Sequence, residues 1–261
     1  MYTNNRSLET PRPDSHVVQL HDANEKMLPS NAVNYVVEGL KLGGGAVVIA
    51  TPAHKSAFLQ EIARAGIDTD SAAKCGRLEF LDAKTTLARI IVGGHPDGER
   101  FERVVGTPLR KAKTMSGEKG LRAYGEMVGL LWKAKQFPAA IRLEQLWNKL
   151  RVTVAFDLFC AYPIDVFDKD FDAGIVDALL CAHTHLLPSA DASLQGALDR
   201  AIAEIHGSGT SMAESRISKK LRQDWAALPE PESTILWLRA NLPDQADEIL
   251  ARARTYYQAS A

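Results

Sequence analysis

The sequence predicts an α/β protein: a three-layer sandwich with a mostly parallel central sheet, followed by a helical C-terminal extension. Between residues 14 and 187, apolar runs of strand length alternate about five times with stretches of helical spacing, as in βαβ crossovers. Beyond residue 188 the helical spacing continues and no strand pattern returns. We therefore expect a loose arm at 1–14, an α/β domain at 15–188 and a helical extension at 189–261.

The first half of the chain alternates regularly. Its predicted elements are strands at 16–20, 46–50 and 78–81 and helices at 28–42, 55–65 and 83–92. The run Ala46–Ala50 is apolar throughout, which is typical of a strand buried on both faces. Three glycines at 43–45 precede that strand, so they indicate the end of a helix and not a dinucleotide-binding turn, which follows its strand.

The second half continues the alternation and then becomes helical. Its predicted elements are helices at 99–113, 127–133 and 138–150 and strands at 121–124 and 152–161. Pro138 occupies a favoured first-turn position. Two apolar stripes follow in the extension: Ile217, Leu221, Trp225 and Leu228, then Ala246, Ile249, Leu250, Ala253, Tyr256 and Tyr257. We interpret them as helices packed on the α/β body, with a partner-binding surface as the alternative.

Composition excludes several classes of protein. Lys and Arg number 31 against 32 Asp and Glu, a balance that argues against direct nucleic-acid binding through phosphate contacts. No run approaches the ~18–20 apolar residues of a membrane span, and no signal sequence is expected. The cysteines Cys75, Cys160 and Cys181 form no CxxC pair, which predicts reduced thiols in a cytoplasmic protein with neither a disulfide framework nor a metal site.

Candidate binding residues follow from the sheet. Ligands of open parallel sheets bind beyond the carboxyl ends of the strands. The polar residues at those ends are Thr51, His54, Lys55, Ser56, Asp82, Glu126 and Tyr162, and we expect them to line a pocket for a small molecule.

The segment Ala50–Ser56 stands where a phosphate-binding loop would stand and ends in Lys-Ser. A working loop needs glycines so that its backbone N–H groups can wrap the phosphates. Ala50 and His54 take those positions here, which disfavours ATP hydrolysis and leaves a helix N-terminus that could serve another anion.

Residues 120–150 add a second group of candidates: Arg122, Trp132, Glu144, Trp147 and Asn148. Glu144 and Asn148 are i,i+4 neighbours on one helix face, and Trp147 continues an apolar stripe. These residues either form a buried polar network beside a core tryptophan or line a ligand pocket. We interpret Cys160 as an inert buried thiol, and no catalytic constellation or cofactor motif is visible.

Two segments resemble the MEDS domain, the methanogen/methylotroph sensory domain: Arg122–Trp132 and Leu143–Leu150. Further segments that match the family, in the order expected along the chain, are 16–20, 50–54, 81–83, 96–97 and 160–163. His21 is a departure, since the family more often has an aromatic residue at that position. The resemblance implies a fold related to RecA and KaiC ATPases, usually without a working phosphate loop. It also implies a sensory module of prokaryotic signalling, for which small hydrocarbon derivatives are the suggested ligands.

The leading hypothesis is a non-enzymatic cytoplasmic sensor without a cofactor. It would bind an unidentified small molecule and act, in transcription regulation for example, through a histidine kinase or another regulator. No kinase core or DNA-binding motif is visible after residue 187, and a homo-oligomer is compatible with the sequence. The alternatives are a KaiC-like nucleotidase using Lys55, Ser56 and Glu126, and an interaction scaffold using Trp225, Trp237, Tyr256 and Tyr257.

Overall fold

The computed structural model describes residues 15–21, 30–169, 171–187, 192–206 and 229–260. The strands are β1 (His16–His21), β2 (Gly45–Ala50), β3 (Leu78–Asp82), β4 (Ile91–Val92), β5 (His95–Pro96), β6 (Leu121–Gly125), β7 (Asp157–Pro163) and β8 (His185–Leu187). The α-helices are α1 (Ser30–Lys41), α2 (Pro52–Arg64), α3 (Thr69–Lys74), α4 (Ala83–Ile90), α5 (Gly98–Phe101), α6 (Thr107–Ser116), α7 (Met127–Lys133), α8 (Phe137–Thr153), α9 (Ala173–Ala182), α10 (Ala192–His206), α11 (Glu230–Asn241) and α12 (Pro243–Ser260).

The central sheet has the strand order β3-β2-β6-β7-β1-β8. Strands β3, β2, β6 and β7 pair in parallel, with Ala46 of β2 opposite both Leu78 and Arg122. Every residue of β2 is buried, as its apolar run predicted. Because the strands are parallel, β2, β3 and β6 present their carboxyl ends at one edge. The predicted α/β class with a mostly parallel sheet is confirmed.

Helices cover both faces of this sheet. On one face, Phe58 of α2 packs edge-on against Tyr124, with ring centroids 4.9 Å apart, and Tyr35 of α1 lies 5.4 Å from Phe159. On the other face, Trp132 of α7 packs 5.4 Å from Tyr162 of β7. This arrangement agrees with a three-layer sandwich.

Three local predictions differ from the structure. The predicted strand at 152–161 begins only at Asp157, because α8 continues through Thr153, whose hydroxyl donates to the Leu150 carbonyl. A π-helical turn at Glu102–Gly106 interrupts the predicted helix at 99–113. The predicted helix at 83–92 ends at Ile90, and Ile91–Val92 pairs with His95–Pro96 in a short antiparallel hairpin of β4 and β5. Strand β8 was not predicted. Short strands such as these carry too few residues for a periodic signal.

The chain divides into two compact units. The first comprises 1–18 and 24–163, and the second 19–23 and 164–261, so far as these residues are described. The boundary predicted near residue 188 stays a prediction. In the second unit Ala246, Ile249, Leu250 and Ala253 are buried on one face of α12, as their spacing predicted. The arm at 1–14 and the stripe at 217–228 lie outside the described residues.

The three cysteines are free thiols, as predicted. Among the described residues, no helix combines the length and the apolar character needed to cross a lipid bilayer.

Helix α7 approaches β7 so closely that Gly129 has no room for a side chain. A Cβ atom there would lie 2.7 Å from the Ala161 carbonyl oxygen and 2.8 Å from Pro163 Cδ. We expect Gly129→Ala to lower the free energy of unfolding by about 1–3 kcal/mol, measured by urea denaturation, because backbone and a proline ring must shift.

Gly196 of α10 is the matched control, since nothing lies within 4 Å of a Cβ built there. Gly196→Ala should raise the free energy of unfolding by up to about 1 kcal/mol, as alanine is the better helix former. Equal effects of the two substitutions would contradict close packing of α7 on β7.

Candidate functional site

A buried carboxylate lies at the carboxyl edge of β2 and β6. We call Thr51, His54, Tyr124 and Glu126 the Glu126 cluster. Oε1 of Glu126 accepts the Tyr124 hydroxyl at 2.9 Å and lies 2.5 Å from His54 Nδ1. Oε2 accepts the backbone N–H of Thr51 at 2.9 Å. Glu126 is 7% exposed and His54 8%, so the cluster lies just beneath the surface.

Local sequence places these groups. Strand β2 ends at Ala50 and helix α2 begins at Pro52, which leaves Thr51 as a one-residue connection. Proline suits the first turn of a helix because its missing N–H has no partner there. The N–H of Glu126 donates to the Ile49 carbonyl at 3.1 Å, so its carboxylate is held against the start of α2. The positive end of the helix dipole favours a negative charge at that position.

Burial and the neighbouring Glu126 carboxylate raise the pKa of Tyr124 well above its ordinary value. The phenol is therefore a permanent donor to Glu126 at physiological pH. The protein's own carboxylate thus holds the anion position at the N-terminus of α2. A phosphate group there would meet like charge, which is electrostatically unfavourable.

Lys55 and Ser56 are exposed on α2 and make contacts elsewhere. The Ser56 hydroxyl donates to the Pro52 carbonyl at 3.1 Å, and Lys55 Nζ lies 5.5 Å from the centre of the Phe80 ring. Successive helix residues point about 100° apart, so His54 faces inward while its two neighbours face water.

Asp82 is the last residue of β3 and caps helix α4. Its carboxylate accepts the Thr85 N–H at 2.7 Å, and this hydrogen bond is the main reason that the pKa of Asp82 is lowered. An N-cap of this kind satisfies a free backbone donor and stabilises the helix.

Arg122 lies at the opposite end of β6 from Glu126. Its guanidinium donates to the Tyr35 carbonyl at 2.5 Å and lies 5.0 Å from the centre of the Tyr35 ring. Asp157 is its neighbour across the sheet, and burial lowers the pKa of Arg122. The structure therefore does not bring Arg122 into the Glu126 cluster.

A second polar group lies between β7 and α8. We call His16, Glu144, Asn148, Cys160 and Tyr162 the Glu144 cluster. Oε1 of Glu144 accepts the Tyr162 hydroxyl at 2.6 Å, and Oε2 lies 3.4 Å from His16 Nε2. His16 Nδ1 lies 2.9 Å from Asn148 Oδ1, and His16 Nε2 lies 3.4 Å from Cys160 Sγ.

Periodicity brings these side chains together. Glu144 and Asn148 are one helical turn apart on α8. The His16 ring lies between them, with Nε2 beside Glu144 and Nδ1 beside Asn148. Cys160 and Tyr162 are two residues apart on β7 and therefore share a face. Burial raises the pKa of both the Cys160 thiol and the Tyr162 phenol well above their ordinary values, and the Glu144 carboxylate raises them further.

The two tryptophans of the predicted site have different surroundings. Trp132 packs against Tyr162 and, at 4.7 Å, against Phe137, so it borders the Glu144 cluster. Trp147 is fully buried and packs edge-on against Phe101 at 5.1 Å and near Phe156. Trp147 is therefore part of the hydrophobic core.

Some of the predicted site residues thus meet in two places on opposite faces of the sheet, and the predicted single pocket is not formed. Thr51, His54 and Glu126 meet on the face covered by α1 and α2, while Trp132, Glu144, Asn148 and Tyr162 meet under α7 and α8. The others lie outside both clusters: Lys55, Ser56, Asp82, Arg122 and Trp147. Sequence reasoning missed Tyr124, His16 and Cys160. The alternation of side chains along a strand could have found two of them. Tyr124 is two residues before Glu126, and Cys160 is two residues before Tyr162, so each pair points to the same face of the sheet.

Comparison with known proteins identifies the domain. The profile of the family described as MEDS, the MEthanogen/methylotroph, DcmR Sensory domain, matches residues 15–184. No curated protein sequence matches the chain significantly. The matched residues include both clusters and make up more than half of the 261-residue chain. The chain therefore belongs to the MEDS family of sensory domains.

Proposed function

We propose that this protein is a non-enzymatic sensor that binds a small molecule at the Glu126 cluster and signals through another protein. Membership of a sensory-domain family supports the sensory role. The observation that carries the ligand site is the cluster's position: a nearly buried carboxylate and imidazole at the carboxyl ends of β2 and β6. Parallel sheets place their ligands at this edge.

The chemistry of the cluster limits the ligand. A nearly buried carboxylate attracts hydrogen-bond donors and repels anions. His54 adds a group that can donate or accept. A small neutral or cationic molecule with a hydroxyl or amino group suits these partners, and a hydrocarbon derivative of that kind fits the family resemblance.

The same geometry supports a nucleotide-independent role. The connection of β2 to α2 contains one residue and no glycine, and Glu126 accepts its N–H group. A nucleotide would have to displace this carboxylate before its phosphates could reach the helix N-terminus. We also propose that this domain shares a common origin with RecA- and KaiC-like ATPases and has lost their phosphate-binding loop.

Signalling requires that the ligand bind one of two arrangements more tightly, because equal binding to both shifts no population. A histidine kinase or a transcriptional regulator in the cytoplasm is the proposed receiver. In the second unit Tyr256 donates to Glu204 at 2.5 Å, and Tyr257 lies 6.1 Å from Phe167. These contacts favour a structural role for the two tyrosines over an interaction scaffold.

A thermal-shift panel tests the ligand site. We expect a small alcohol or amine to raise the melting temperature by about 5–10 °C at 100-fold excess over its Kd, and the corresponding phosphate ester to have no effect. His54→Ala should abolish the shift, since it removes one of the cluster's two polar side chains nearest the surface.

Lys55→Ala is the matched control, because Lys55 is the exposed neighbour of His54 on α2. It should leave the shift unchanged. Stabilisation by ATP that disappears in Lys55→Ala would contradict the proposal and favour the nucleotidase. A shift of equal size in His54→Ala and the parent would place the ligand elsewhere.

A further inference from the structure

Three chemically different donor atoms of the Glu144 cluster surround one point. His16 Nε2, Glu144 Oε2 and Cys160 Sγ all lie within 4.8 Å of one another. Nε2 is 3.4 Å from both other atoms, and Sγ is 3.9 Å from Oε2. The three residues are 0%, 2% and 0% exposed, so bulk water does not solvate these atoms.

The spacing matches a tetrahedral metal site. Zinc bonds of about 2.0–2.3 Å to nitrogen, oxygen and sulfur place pairs of donors about 3.4–3.6 Å apart. The three observed separations lie within about 0.3 Å of that range. A charge-assisted hydrogen bond would draw the imidazole and carboxylate to about 2.7–2.9 Å. A second buried His–Glu pair of this protein, His54 with Glu126, is much closer, at 2.5 Å.

The surrounding contacts orient the donors toward that point. Arg151 donates to Asn148 Oδ1 at 3.4 Å, which identifies this atom as an acceptor. An Asn148 acceptor favours the tautomer with the proton on His16 Nδ1, and in that tautomer the Nε2 lone pair would point at Glu144 and Cys160. The Tyr162 hydroxyl fixes the other oxygen of Glu144. Hydrogen bonds of this kind typically hold the histidine and carboxylate ligands of metals.

Charge also balances. A divalent ion bound by one carboxylate, one thiolate and one neutral imidazole forms a group with no net charge, which a buried site accommodates at low cost. The thiol proton of Cys160 would leave to solvent as sulfur bonds the metal.

We propose that His16, Glu144 and Cys160 bind one zinc ion, which ties β1 and β7 to α8. Zinc fits because a site with one nitrogen, one oxygen and one sulfur donor is neither the all-oxygen site of magnesium or calcium nor the all-sulfur site of an iron–sulfur cluster. The sequence predicted no metal because these donors come from three distant segments and form no CxxC pair. This inference is independent of the ligand proposed at the Glu126 cluster.

The test is the zinc content of the full chain after expression with added zinc and extensive dialysis, measured by inductively coupled plasma mass spectrometry. The parent should contain one equivalent of zinc, and X-ray absorption should show a single sulfur ligand at about 2.3 Å. Cys160→Ala should lose the metal, whereas Cys75→Ala, at an exposed thiol, should retain it.

Asn148→Ala covers the case in which Cys160→Ala fails to fold. Asn148 orients His16 without binding the metal, so its loss should weaken zinc binding about 10- to 100-fold in chelator competition, with the fold verified by circular dichroism. A parent that contains no zinc and takes up neither Zn²⁺ nor Co²⁺ on refolding would overturn the proposal. Equal zinc in the parent, Cys160→Ala and Asn148→Ala would overturn it as well.

Discussion

Replacement of Glu126 by alanine is expected to lower the free energy of unfolding by about 3–5 kcal/mol. The carboxylate accepts three hydrogen bonds, from the Tyr124 hydroxyl, the Thr51 N–H and His54. Removing it leaves these donors buried without their acceptor, and each such group costs about 1–3 kcal/mol. Tyr124 is fully buried and cannot turn to water. Urea denaturation of the full chain measures the change.

Two further variants define the cause of this loss. Glu126→Gln retains one acceptor oxygen, so we expect about half the effect, roughly 1–2 kcal/mol. Glu99→Ala removes an exposed carboxylate and should change the free energy by no more than about 0.5 kcal/mol. If Glu126→Ala were as mild as Glu99→Ala, the Glu126 cluster would not be a tightly bonded network.

Trp147→Ala is expected to cost about 3–5 kcal/mol, because it empties the centre of the core between α8 and the sheet. The side chain is fully buried and packs on Phe101 and Phe156. The surrounding side chains would fill such a cavity only in part. The lost burial of the indole ring and the cost of the remaining cavity therefore both lower the free energy of unfolding.

The control for Trp147 is Val152→Ala, on the same helix but 87% exposed, which should change the free energy of unfolding by no more than about 0.5 kcal/mol. Trp147→Phe should lie between the two, since it retains an aromatic ring. A Trp147→Ala protein of unchanged stability that loses its small-molecule ligand would instead place Trp147 in the binding site.

Much of the fold could be predicted because local patterns and long-range packing agree. The run Ala46–Ala50 is apolar on both sides, and the structure buries it between two helical layers. At residues 152–154 the local sequence pattern and the long-range packing disagree. Val-Thr-Val favours a strand, yet the buried stripe that includes Leu146 and Leu150 extends α8 through Thr153. Tertiary packing overrides local preference at such junctions.

The candidate site was predictable only in part. The rule that ligands bind at the carboxyl ends of parallel strands predicted that Thr51, His54 and Glu126 lie close together, and in the structure they are in contact. It could not show that Lys55 faces water, because that depends on where the first turn of α2 begins. Arg122 was grouped with Glu144 and Asn148 by closeness in sequence, although its guanidinium contacts Tyr35 of α1.

The Glu144 cluster shows what sequence order conceals. His16 lies more than a hundred residues before Glu144 and Cys160, and only the pairing of β1 beside β7 brings them together. The sequence contains no CxxC pair that would indicate a metal site. The fold nevertheless brings the side chains of His16, Glu144 and Cys160 within 4.8 Å of one another.

Native mass spectrometry of the full chain, purified from cells and sprayed without denaturant, tests the sensor account most directly. We expect one bound small molecule per chain, retained in Lys55→Ala and lost in both His54→Ala and Glu126→Gln. Zinc has a known mass and is counted separately. A chain that carries no small molecule after exposure to a cell extract would contradict the account, as would an adduct that persists in His54→Ala.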